Sequence, residues 1–218
     1  MKPTALLYDE RYLLHDTGPA HPERPERIQA VWTHLQATDF FSSLLLLKPD
    51  YAPLEWIEAV HQPEYVQRVK QACENQAAFI DCLDTAVSAE SYEIALLAVG
   101  GVLALLDAVF QGKARNGFGL IRPPGHHAES AQSFGFCLFN NVAIGARYAQ
   151  KKFKIEKILI VDWDVHHGNG TQRYFENDPS VFYFSAHQYP FYPGTGHAWE
   201  QGREEGRGRT LNLPMPAG

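Results

Sequence analysis

The sequence predicts a three-layer αβα domain, with helices on both faces of a mainly parallel sheet. Two observations carry this prediction. Short apolar, β-branched runs such as 158–162 and 181–185 alternate with helical stretches, the pattern of parallel strands joined by helical crossovers. Two such runs, 118–121 and 158–162, lead into turns that each carry a histidine pair, His126-His127 and His166-His167. Ligands in open α/β sheets collect at the carboxyl ends of strands, so both turns are candidate site material. The 218 residues suffice for one domain with a sizeable core, and no repeat or linker divides 1–218.

In chain order, 4–8 reads as the first strand and 9–18 as a loop. Pro25 then opens a helix in which Ile28, Val31, Trp32 and Leu35 fall at helical spacing. A short strand at 44–47 precedes two helices, 53–60 and 63–78, each opening on proline and acidic residues. The stretch 79–87 reads as an irregular acidic loop with Asp81 and Asp84. Ser88 is the candidate N-cap of a long helix over 89–110. Within it, 94–110 is apolar except for Asp107; at the short limit for spanning a bilayer, it is read as a buried core helix. A strand at 118–121, a helix at 141–152, a strand at 158–162 and a short helix at 171–175 follow. The strand 181–185 delivers His187 to a loop rich in Pro, Gly and aromatics over 189–196, and a last strand covers 210–213.

Composition narrows the function classes. The chain is 45% hydrophobic and 20% charged with a formal net charge of −6, which lacks the basic footprint of a direct nucleic-acid binder. Cys73, Cys82 and Cys137 form no CxxC pair, as suits free thiols in a reducing compartment. The N-terminus runs straight into a strand without a signal-peptide pattern, so a cytoplasmic location without membrane association is expected.

The segment 157–170 holds the most concentrated chemistry. Strand alternation would point Asp162, Asp164 and His166 to one side, and Val161, Trp163 and Val165 to the other. A carboxylate oxygen and an imidazole nitrogen two residues apart suit a borderline divalent metal such as Zn²⁺. In the turn after Pro123-Pro124-Gly125, both His126 and His127 are placed to reach a site, and histidine handles protons near neutral pH.

Four strings, PPGHHA (123–128), GFCLFNN (135–141), DWDVHHGNGTQ (162–172) and YPGTG (192–196), occur in order, with HPERPER (21–27) upstream. Together they resemble the arginase/deacetylase fold and, within it, the histone deacetylase family, on the side of the class II and bacterial deacetylase-like members. The resemblance implies hydrolysis of an N-acetyl amide on acetylated lysine or a small acetylated amine, an acetylpolyamine being the nearest alternative. It implies Zn²⁺, or alternatively Fe²⁺, held by Asp164 and His166. It makes His126 and His127 the proton-handling pair, with Asp162 orienting His126 and Asn169 orienting His127, where many class I members carry aspartate. It places the Gly135 carbonyl by the substrate amide, Phe136 and Tyr192 along an acyl-chain tunnel, and Asp84 at an acidic rim. Arg27, with Arg24 as the alternative, lies near the site floor. A K⁺ ion is implied at Asp162, Asp164, His166, Ser185 and Ala186.

The resemblance also sets a limit. The family's third metal ligand, in a GFDA-type string, and its transition-state tyrosine occur in no matching string of these 218 residues. The chain is therefore expected to be the N-terminal part of the family domain, incomplete at its C-terminal end and inactive by itself. A non-catalytic module gripping acetylated ligands or a partner is the competing class. An arginase-type ureohydrolase with two manganese ions is opposed by the GHH and GFCLFNN strings. Self-association is left open.

Overall fold

The computed structural model describes residues 2–218. Strand β1 (Thr4–Leu7) is followed by helix α1 (Pro25–Gln36), strand β2 (Leu45–Leu47) and helices α2 (Leu54–Ile57) and α3 (Pro63–Glu74). Strands β3 (Phe79–Ile80) and β4 (Cys82–Ala86) lead to the long helix α4 (Ser91–Phe110) and strand β5 (Asn116–Gly119). Helix α5 (Asn141–Phe153), strand β6 (Ile158–Asp162), helix α6 (Asn169–Phe175), strand β7 (Val181–Gln188) and strand β8 (Thr210–Met215) complete the order. Two three-stranded sheets, β2-β1-β5 and β6-β7-β8, are parallel throughout, and β3 and β4 form a separate antiparallel pair. The mixed α/β class with parallel sheets is the one the sequence predicts.

Helix α4 is long and apolar enough to cross a membrane by composition, yet it lies inside the fold, as the sequence reading held. It packs against α5, β1, β5 and α3. Tyr65, Val69, Leu96, Val99, Phe139, Ile144, Ile160 and Tyr183 close the main core around it. Each such side chain contributes about 1.5–3 kcal/mol when fully buried.

Several boundaries differ from the sequence reading. The 9–18 segment contains a 3₁₀ turn, Glu10–Leu14, because Tyr12 is drawn inside and its hydroxyl donates to the Leu97 carbonyl at 3.2 Å. The helix expected over 53–60 shrinks to α2, and that over 63–78 stops at Glu74, with Gln76 at a positive φ of 52°. The acidic stretch 79–87 is a β-hairpin rather than an irregular loop. Helix α4 starts at Ser91 and not at 89. Ser88 is not its cap: the Ser88 hydroxyl accepts the Asp16 N–H at 3.3 Å, and Ser91 Oγ accepts the Ser88 N–H at 2.7 Å. Strand β8 runs on through Pro214, which an edge strand tolerates. Helices on both faces of the sheet would bury strand β6, but in it only Ile160 is buried. Leu159 and Val161 reach solvent, as do Leu211 and Leu213 across the sheet.

Candidate functional site

Six chain segments meet near the carboxyl ends of the parallel strands: 22–27 at the start of α1, β4 from the hairpin, 120–128 after β5, 135–136 ahead of α5, 163–168 after β6 and 189–196 after β7. They enclose a cavity of about 390 Å³ lined by Glu23, Arg27, Asp84, Pro124, His126, His127, Gly135, Phe136, Asp164, His166 and Tyr192, together with Pro22. Nine residues singled out in the sequence thus share one cavity, and Asp162 and Asn169 stand directly behind two of them.

The histidine pair forms two separate dyads. The His126 and His127 ring centroids are 4.0 Å apart. His126 Nδ1 lies 2.9 Å from Asp162 Oδ2, and His127 Nδ1 lies 2.8 Å from Asn169 Oδ1. Asp162 also accepts the Tyr183 hydroxyl at 3.1 Å and, through Oδ1, the Asp164 N–H at 3.2 Å. Burial alone would raise its pKa, but the hydrogen bonds, led by that to His126, outweigh it and hold the carboxyl below its ordinary value. His127 is buried, and burial, reinforced by His126 beside it, pushes its pKa down to about 3, so it sits as the neutral imidazole at physiological pH.

Two glycines make this density feasible. Gly135 has φ +53°, and a Cβ there would overlap the His127 ring. Any side chain at Gly168 would run into Asp162 Oδ2, the Tyr183 hydroxyl and His126 Nδ1. The Gly135 carbonyl accepts the Cys137 thiol at 3.3 Å.

Strand alternation does not extend over 162–166. Strand β6 ends at Asp162, and the chain bends because Asp162 and Asp164 accept backbone N–H groups two residues on. That bend, and not the pleat, sends Asp164 and His166 into the cavity while Trp163 stands 81% exposed. Asp164 Oδ1 lies 2.8 Å from the His166 N–H nitrogen and 3.0 Å from His166 Nδ1. A carboxylate and an imidazole side by side are donor types that zinc takes, so the pair fits the ion as far as two donors go. Among the described residues no group of three His, Cys, Asp or Glu side chains converges to hold a metal.

At the mouth, the Tyr192 hydroxyl donates to Asp84 Oδ2 at 3.0 Å, and the Tyr192 ring meets His127 edge-on at 5.2 Å. Burial would raise the Asp84 carboxyl, but donors from Cys82, Thr85 and Tyr192 bring it below the usual range. Phe136 meets His21 edge-on at 4.7 Å, and Phe191 stacks on His166 at 5.1 Å.

Of the two arginine candidates, Arg27 lines the cavity and reaches Glu23 at 3.4 Å. Arg24 is exposed, 3.8 Å from Glu26, and takes no part. Sequence reasoning missed Arg122, fully buried and bidentate on Glu23 at 2.8 Å through both nitrogens, with further bonds to the Tyr12 and His15 carbonyls. A charged residue just before Pro123-Pro124, at the exit of a strand, was the available signal. Glu129 was missed as well, although it lies only two residues past the histidine pair.

Ser185 sits opposite Asp162 in the β6-β7 register, with its hydroxyl 2.8 Å from His187 Nδ1, and Ala186 pairs with Leu213. His187 and His61 are buried and hydrogen-bonded within the fold, as structural residues.

A family model described as histone deacetylase domain matches residues 21–218. A probable deacetylase of Archaeoglobus fulgidus is 42% identical over 217 residues, covering 99% of this chain and 60% of the relative. Polyamine deacetylase HDAC10 of Homo sapiens is 42% identical over 225 residues, covering 97% of this chain and 34% of its own. The crystal structure of the HDA15 HD domain superposes with a TM-score of 0.94 at 40% identity, covering 100% of this chain and 63% of that one. The chain thus spans about three-fifths of the archaeal relative and of that solved domain.

Proposed function

The chain belongs to the histone deacetylase family, and from that premise we propose that it carries the acetyl-binding cavity and the proton-transfer machinery of a metal-dependent amide hydrolase. The observation that supports this most is the two imidazole dyads, His126–Asp162 and His127–Asn169, set beside Asp164 and His166 in one aromatic-lined cavity. Asp164 and His166 are the residues that would hold Zn²⁺, or Fe²⁺ in its place. When bound, the ion would polarise the acetyl carbonyl and acidify a water.

The rest is work for the chain's own residues. Neutral His127 accepts a proton from water and returns it to the departing amine nitrogen, while His126, backed by the Asp162 carboxylate, lies beside it and steadies the charge that develops. Phe136 and Tyr192 hold the aliphatic chain of the substrate, Gly135 packs on His127, and Asp84 fixes Tyr192 at the rim. Arg27 lies on the cavity wall beside Glu23. The substrate class is an acetylated lysine or a small acetylated amine, in a cytoplasmic setting. A structural K⁺ belongs at Asp162, Asp164, His166, Ser185 and Ala186, where oxygen donors suit a hard cation.

The test is acetate release from acetyl-lysine peptide and from N-acetylated diamine, with and without added zinc, by the complete family domain that carries this chain and by its His127→Ala variant. Zinc-dependent release reduced about 10²-fold or more in the variant is the expected outcome. Equal release by both proteins would sink the assignment.

A further inference from the structure

We infer that Glu129 is a positioning residue for His127, acting through Asn169: its carboxylate fixes the Asn169 amide so that the carbonyl end faces the imidazole and sets its tautomer. The inference deepens the proton-transfer role proposed above. It rests on that reading for its catalytic meaning, though not for its structural test.

The two dyads pose different problems. At His126 the partner is a carboxylate, which only accepts, so Nδ1 of a neutral His126 must carry the proton. At His127 the partner is an amide whose two ends have the same shape and opposite hydrogen-bonding character. An amide can present C=O or NH₂ to the imidazole, and the two choices impose opposite tautomers. With NH₂ toward His127, Nδ1 would be the acceptor, and the proton would sit on Nε2, where the base is needed. Something beyond the pair must break the symmetry.

Asn169 is the first residue of α6 and is almost fully buried. Its Nδ2 faces Glu129 Oε1 at 3.1 Å and, at a longer 3.4 Å, the His127 carbonyl. Both partners are pure acceptors. Reversing the amide would set its carbonyl oxygen against a carboxylate and a second carbonyl, two repulsive contacts, one of them with a full negative charge. Glu129, closer and charged, is the stronger of the two.

The carboxylate is itself held in place. Its backbone N–H donates to the Gln132 carbonyl at 2.9 Å, its carbonyl lies 2.9 Å from His61 Nδ1, and Oε2 lies 3.6 Å from Arg173 Nε. It stands on the wall of a second, polar cavity of about 510 Å³ that includes Asn169, Arg173 and Glu200, separate from the acetyl-binding one. The negative charge that a carboxylate partner would bring to His127 directly is thus supplied one residue further out, on the side of Asn169 that faces the second cavity.

The test reads the tautomer and not only the rate. Histidine-¹⁵N-labelled protein, metal-free and zinc-loaded, is examined near pH 8 by long-range ¹H–¹⁵N correlation, with His127 assigned from the spectrum of His127→Asn. Wild type should show the Nδ1–H form. In Glu129→Ala the share of the Nε2–H form should rise about 10-fold. Glu129→Gln, whose carbonyl can still accept, should restore the wild-type pattern. Glu129→Lys puts a donor in place of the acceptor and should invert the tautomer, so it tests the inference even if the alanine variant does not fold. An unchanged His127 tautomer in a folded alanine or lysine variant overturns the inference, whatever the activity. In the assay, kcat should fall about 10-fold in the alanine variant with KM within twofold. A tautomer that responds in a protein without hydrolytic activity would leave the positioning role standing and remove the catalytic reading instead.

Discussion

His126 and His127 are adjacent in sequence and in space, yet different chemistry holds each. Asp162 is a charged partner sunk behind the cavity wall, fed by donors from Tyr183 and the Asp164 backbone. Asp162→Asn removes the charge, and the Asp164 N–H favours the amide oxygen at the Oδ1 position, which turns the NH₂ toward His126 Nδ1. It should cut kcat about 10²-fold with little change in KM, to be checked by steady-state kinetics on acetyl-lysine peptide. Beneath the cavity, Arg122 and Glu23 form an ion pair with almost no solvent contact. Burial would raise the Glu23 carboxyl, but Arg122 outweighs it and keeps it below its usual value. Arg122→Met leaves that carboxylate with no cation but the solvent-exposed Arg27, at a cost of about 3–5 kcal/mol. Calorimetry should show a Tm lower by roughly 10 °C.

At the scale of elements, the mouth of the cavity is a joint between the β4 strand and the loop after β7. Asp84 and Tyr192, 108 residues apart, meet there through one hydrogen bond of 3.0 Å. The bond holds the Tyr192 ring edge-on to His127 and so shapes the passage for an aliphatic chain. Tyr192→Phe keeps the ring and loses the tether. With one such bond worth about 1 kcal/mol, KM for acetyl-lysine should rise about 3–10-fold while kcat stays within twofold. A KM equal to wild type would mean that the loop is positioned by other contacts.

Over the whole molecule, burial of imidazoles sets the response to acid. His15, His61 and His167 are each pushed down to about 4, in every case mainly by burial. Each is neutral when folded, whereas in the unfolded chain it titrates near 6.5. The unfolded state therefore binds more protons below about pH 6.5, and stability falls as pH drops from there through about 4. Each group contributes on the order of 3 kcal/mol across that window. Thermal melts should show Tm flat from pH 8 to 7 and falling steeply between pH 6 and 4.5. His61→Gln should flatten part of that slope, because His61 is fixed by the Glu129 carbonyl and the Asn140 N–H and lies apart from the metal-donor pair.

What the sequence determined by itself was local: the strand runs, the long core helix, and the chemical character of the turns that end at His126-His127 and Asp164-Val165-His166. Those signals lie within a few residues of one another, where periodicity and side-chain type are enough. The β3-β4 hairpin was not legible, because its two strands are short and carry no alternation. Strand alternation also ran too far past Asp162, since the bend depends on side-chain oxygens capturing backbone N–H groups, which no hydropathy pattern records. Only the tertiary structure decided that Arg122 is the buried arginine, for its partner Glu23 lies 99 residues upstream. It likewise decided that Glu129 faces Asn169, a contact made 40 residues away along the chain. Which distant groups meet is set by the crossover connections that bring the strand ends to one edge, and only there does the energy of an ion pair or an oriented amide depend on position rather than on sequence.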